Sequence, residues 1–118
     1  MRCDLNTVEI TRTIIDVLED KKGENIVLLD IHEVANFTDY FIICSGTSDR
    51  MLDALAEGVV RKVRDVYQIH GRTEGLPSGG WVIVDFGDIV VQLFSPDQRD
   101  FYQLEQLWSK GKVLVHLQ

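Results

Sequence analysis

Two cysteines and three histidines are all that the 118 residues contain of these types, and each scarcity removes a class of protein. Cys3 and Cys44 make no disulfide framework; Cys44 lies within an apolar run and reads as a small buried hydrophobe, so reducing cytosol is the expected compartment. His32, His70 and His116 fall in separate segments, without metal-ligand spacing to one another or to the cysteines, and no metal or cofactor is expected. Basic residues are also few: 12 Lys and Arg face 19 Asp and Glu, a net charge of −7. That balance argues against a protein that holds nucleic acid through its phosphates, and no sequence-specific nucleic-acid binding is expected. It suits a basic protein partner, although solubility alone is also served by it. No apolar run reaches the roughly 18 residues of a membrane span, and the N-terminus has neither a signal-peptide core nor a transit-peptide composition, so no membrane role is expected. A Gly-x-Ser-x-Gly elbow, a P-loop and a dinucleotide fingerprint are all missing.

What is present is an ordinary globular composition, 45% hydrophobic and 26% charged, on a chain long enough for one domain spanning residues 1–118. The most informative stretch runs from Gly80 to Phe94. It reads as two strands joined at Gly87-Asp88, because glycine accepts the positive φ of a two-residue hairpin loop. In that register Phe86 faces Ile89 and Trp81 faces Phe94. Val82, Val84, Phe86, Ile89, Val91 and Leu93 then share an apolar face that should be core. The other face carries Trp81, Ile83, Asp85, Val90, Gln92 and Phe94, too apolar for a wet surface yet holding an acid and an amide. Either a helix covers it or part of it is a partner-binding surface with an aromatic anchor.

Elsewhere, Asn6 followed by Glu9 predicts a helix over about Thr7 to Asp20, with Leu5, Val8, Ile14, Ile15, Val17 and Leu18 at helical spacing. Ile26–Ile31 and Asp39–Cys44 are short apolar runs that read as buried strands. Leu52, Leu55, Ala56, Val59, Val63 and Val66 mark the stripe of a second helix ending near Tyr67. Ile69–Thr73 suggests a short strand, and Glu74–Gly80 a surface loop. Ser95-Pro96-Asp97-Gln98 predicts the start of a third helix carrying Phe101, Leu104, Leu107 and Trp108. The alternating tail Val113–Leu117 suits an edge strand, here or on another chain. The order predicts an α/β (α+β) fold, a mixed sheet with helices packed on it.

An enzymatic reading rests on acids at strand ends, Asp85 and Asp88 beside the hairpin turn with Asp30 and Asp39 at the first two strands. Together with a Gly46-Thr47-Ser48 turn at a helix start, they suggest a metal-dependent nucleotide-binding enzyme. The plainer alternative makes the acids turn formers and the Gly46–Ser48 turn a helix cap.

Three stretches carry a family resemblance: Thr38-Asp-Tyr-Phe-Ile-Ile-Cys-Ser-Gly-Thr-Ser48, Gly80-Trp-Val-Ile-Val-Asp-Phe-Gly-Asp88 and Arg99-Asp-Phe-Tyr-Gln-Leu-Glu-Gln-Leu-Trp108. In this order and spacing the chain closely resembles the ribosomal silencing factors (RsfS, also called Iojap-like). The resemblance implies a non-enzymatic protein with a nucleotidyltransferase-like fold, often a homodimer. It implies binding to the large ribosomal subunit through ribosomal protein L-fourteen, which hinders joining of the small subunit; organellar relatives assist large-subunit assembly. Carried over by motif, the partner-facing residues are Trp81, Asp85, Phe86 and Asp88. Phe86 belongs to that surface only if the turn re-aims it, because the strand alternation puts it on the core face. The family commonly has histidine where Gln92 stands. The strand pair of acids separated by one residue that nucleotidyltransferases use is not found here.

Overall fold

Strands with apolar residues at every position need cover on both faces, whereas a half-buried strand alternates. Both patterns occur in one sheet. The structure, a computed structural model, describes residues 5–31, 38–95 and 112–117. Among these, the elements in chain order are α1 (Leu5–Asp20), β1 (Glu24–Asp30), β2 (Tyr40–Ser45), α2 (Asp49–Tyr67), β3 (Arg72–Leu76), a 3-10 turn (Pro77–Gly79), β4 (Trp81–Asp85), β5 (Ile89–Phe94) and β6 (Lys112–Leu117). The six strands form one sheet in the order β3-β4-β5-β2-β1-β6. β2 and β5 run parallel, and the other neighbours are antiparallel, giving the mixed sheet expected.

β2 lies inside this sheet, and all six of its residues are buried, which is why its sequence is a continuous apolar run. Successive side chains enter two different cores. On one face Ile26, Leu28, Ile42, Cys44, Val82, Val84, Val91 and Leu93 meet Ile10, Ile14 and Leu18 of α1 and Leu52, Leu55, Val59 and Val63 of α2. On the other face Val27, Leu29, Ile31, Phe41, Ile43, Val90 and Phe94 form a second buried cluster, with Trp81 and Ile83 packed at its margin. Among the described residues, neither α1 nor α2 contributes to that second cluster.

α2 is closed at both ends. The Ser48 hydroxyl accepts a hydrogen bond from Met51 N at 3.1 Å, and Gln68, in the left-handed region at φ 59°, returns its N–H to Arg64 O. Ser48→Ala removes that acceptor at an exposed cap and should lower stability by about 1 kcal/mol, read as a shifted urea midpoint with an unchanged slope. The two helices are joined where α2 ends: Tyr67 Oη lies 2.7 Å from Thr13 Oγ1 and donates to Glu9 O at 3.3 Å.

Several expectations change. α1 begins at Leu5, so Asn6 lies in its first turn instead of capping it. Val66 is exposed, as is Val8; after Val63 the stripe continues through Tyr67, whose ring packs on the helix-side core. The weak strand moves from Ile69–Thr73 to Arg72–Leu76, so part of the expected 74–80 loop is paired to β4. All five β3 residues are exposed, so no hydrophobic pattern announced the strand. The alternating tail pairs antiparallel with β1 of the same chain. The third helix and its Phe101, Leu104, Leu107 and Trp108 lie outside the described residues.

Candidate partner-binding site

The hairpin has the expected register, with Trp81 opposite Phe94 and Asp85 opposite Val90. Phe86 N donates to Ile89 O at 2.9 Å, and Gly87 takes φ 94°, closing the two-residue loop. Directly paired residues share a face, so the face bearing Trp81, Ile83 and Asp85 extends onto β3 through Leu76, Glu74 and Arg72. Burial fades across it. Phe94, Val90 and Gln92 are buried, Trp81 and Ile83 are half-buried, and Leu76 is 69% exposed.

Trp81 is held from two sides. Its ring stacks on Phe94 with centroids 5.6 Å apart and planes inclined by 16°. Its Nε1–H donates to Gln92 Oε1 at 3.3 Å. An aromatic ring with one face packed and a margin toward solvent, beside an exposed leucine, has the form of a protein-binding anchor.

The other proposed residues sit elsewhere. Asp85 ends β4, four residues from Trp81, which places the two about 13 Å apart along the strand. Asp85 Oδ1 accepts from Gly87 N at 2.8 Å and so braces the turn. Asp88 O accepts from Asp39 N at 3.0 Å and Tyr40 N at 3.1 Å, fastening the hairpin tip to the start of β2. Phe86 does not turn outward. It packs against the helix-side core, and a Cβ on Gly71 would meet its ring at 2.5 Å, so the bare glycine is what makes room for it there. Trp81 and Asp85 therefore share a face, Asp88 lies at the turn, and Phe86 is on the opposite side.

The turn residues of the enzymatic reading are occupied structurally. Gly46 N donates to Phe94 O at 2.9 Å, Ser48 Oγ caps α2, and Thr47 Oγ1 donates to Met51 Sδ at 3.5 Å. A Cβ on Gly46 would strike Leu52 Cδ2 at 2.9 Å, so this turn leans on the core rather than opening toward a phosphate. Asp30, Asp39, Asp85 and Asp88 do gather at one end of the sheet. Among the described residues, however, no three His, Cys, Asp or Glu side chains are arranged to hold a metal ion.

Comparison with known proteins decides the family. The family model for "Ribosomal silencing factor during starvation" (RsfS) matches residues 4–118. The chain belongs to the ribosomal silencing factor family. It is 36% identical to ribosomal silencing factor RsfS of Bacillus subtilis, over 92% of each chain. A crystal structure of a Chromobacterium violaceum protein, 37% identical, superposes with a TM-score of 0.81 over 91% of both chains. A mouse relative named for mitochondrial assembly of the ribosomal large subunit is 31% identical over 81% of this chain, which spans 43% of that protein.

In this silencing-factor chain two features of that face escaped sequence reading, the place of Leu76 and the hydrogen bond of the buried Gln92. Leu76 sits within an expected loop and carries no periodic signal. Gln92 was visible as the odd amide on the second face, but its contact with Trp81 depends on the cross-strand diagonal and not on sequence spacing.

Proposed function

We propose that the chain binds the large ribosomal subunit through ribosomal protein L-fourteen and, by occupying space at the joining face, keeps the small subunit away, so that translation falls. The single observation that supports this reading is the half-buried Trp81 ring, braced by Phe94 and Gln92 and flanked by exposed Leu76, in a chain of the ribosomal silencing factor family. Trp81 supplies the desolvated contact. Asp85, about 13 Å away by the rise of the strand, and Asp88 at the turn beyond it supply the acidic side of a contact to a basic partner. Phe86 contributes by fixing the turn from the core side rather than by touch. The action needs occupancy and no bond chemistry, so the protein works without catalysis or cofactor. It acts as a homodimer in the cytoplasm, and its attachment to the large subunit also serves assembly of that subunit.

The test is co-sedimentation with purified large subunits, followed by addition of small subunits. The protein is expected in the pellet with large subunits and is expected to reduce the yield of joined ribosomes in proportion to its occupancy. A protein that stays in the supernatant at moderate salt ends the reading. Because the net charge is −7 and the proposed partner surface is basic, raising the salt from about 0.05 M to 0.3 M should slow association more than it speeds dissociation.

A further inference from the structure

The amide at position 92 is buried, 7% exposed, in the middle of β5, where the neighbouring residues of the same face are Val90 and Phe94. A buried side-chain amide among such neighbours needs a polar partner, and Gln92 has one in the Trp81 indole. The indole N–H only donates, so the group of Gln92 facing it is the carbonyl oxygen, whichever way the amide plane is otherwise read. Stacking on Phe94 sets the plane of the Trp81 ring but does not choose between the two ring orientations related by a flip about Cβ–Cγ. The hydrogen bond at 3.3 Å makes that choice by holding the Nε1 edge toward Gln92. The two contacts together define a single pose for a ring whose outer margin reaches solvent.

We propose that Gln92 is a positioning residue for the partner-binding surface: its side-chain carbonyl holds the Trp81 indole in the pose that docks. The proposal rests on the reading of Trp81 as anchor. Gln92 itself lies beneath the surface and acts through the ring. A preset pose spares the ordering that a loose aromatic side chain undergoes on binding, and its loss should therefore appear in affinity before it appears in stability.

The experiment uses the full chain and purified large ribosomal subunits. Gln92→Met keeps length and volume but withdraws the carbonyl; Gln92→Glu keeps an acceptor at the same reach. The wild-type protein gives two indole N–H resonances, one from each tryptophan, and Trp81→Ala identifies which belongs to Trp81. Gln92→Met is expected to shift that resonance upfield, speed its solvent exchange and weaken large-subunit binding about tenfold, at temperatures far below its melting point. Gln92→Glu, measured where it is folded, is expected to retain the resonance and to bind within about threefold of wild type. Unchanged affinity in Gln92→Met, alongside lost affinity in Trp81→Ala, overturns the positioning role and leaves the anchor standing. Unchanged affinity in Trp81→Ala overturns the anchor and this role with it. A lowered melting point in Gln92→Met with neither resonance nor affinity altered also overturns it, since the amide would then serve packing alone.

Discussion

Trp81→Ala is expected to weaken binding to the large ribosomal subunit by about 2 kcal/mol or more, roughly 30-fold in Kd, while the protein stays folded. The magnitude follows from where the ring sits. It is half-buried, so it retains a solvent margin to give up on docking, and its inner face already rests on Phe94, so little ordering remains to be done. The substitution also uncovers part of Phe94 and leaves the Gln92 carbonyl without its donor, so some stability is lost as well. Melting curves separate the two effects: the binding loss should persist at temperatures where both proteins are fully native. Trp81→Phe keeps a stacking ring and loses the N–H, and should fall between wild type and alanine. Leu76→Ala, at the exposed end of the same face, should cost less than Trp81→Ala because its side chain is smaller, is 69% exposed and lacks the stacking that holds the indole. Equal affinity for wild type and Trp81→Ala would remove this face from the interface.

The hairpin that presents Trp81 was readable from sequence because three independent signals agree there. The Gly87-Asp88 loop fixes the turn, β-branched and aromatic residues fill the strands, and the period of two assigns each side chain to a face. Phe86 shows how firm that alternation is. The family motif suggested a contact residue, the alternation assigned it to the core face, and the structure agrees with the alternation, with Gly71 leaving space for the ring.

Where local signals are weak, the chain is settled by tertiary pairing. β3 carries Arg72, Thr73, Glu74 and Gly75 before Leu76, a sequence in which only Thr73 distinctly favours a strand, yet it lies in full register along β4. The parallel contact of β2 with β5 is likewise invisible locally, since β2 is apolar up to its terminal Ser45, β5 is broken only by Gln92, and nothing in such a run states its neighbour or direction. The site inherits the same division. Trp81 was legible as the large aromatic on an ambiguous face. Leu76 and the Gln92 hydrogen bond were not, because both depend on which strand lies beside which. The acids were legible as a group, but their roles divide in space: Asp85 braces the turn with its side chain, and Asp88 fastens β2 with its backbone.

The second large effect follows from β3. Gly75 pairs with Val82 at φ 93°, a region that L side chains rarely adopt, and a Cβ there would strike Trp81 O. Gly75→Ala thus combines backbone strain with a clash against the main chain of the anchor strand, on the order of 3 kcal/mol if the native geometry were kept. The strand has a cheaper way out. All five of its residues are exposed and it lies at the edge of the sheet, so separating β3 from β4 uncovers little apolar surface and leaves both cores intact. The expected result is local: amide protection vanishes along Arg72–Leu76 and weakens on the facing side of β4, while β1, β2 and β5 keep theirs and the melting point drops by only a few degrees. Affinity for large subunits should fall with it, because Leu76 leaves the proposed docking face and Trp81 loses its paired neighbour on the open side. Uniform loss of protection across the sheet would instead mean that β3 is needed for the fold. Full protection of β3 in the alanine variant would mean that the strand tolerates a side chain at position 75, and the close approach of the two backbones would then have no part in shaping the site.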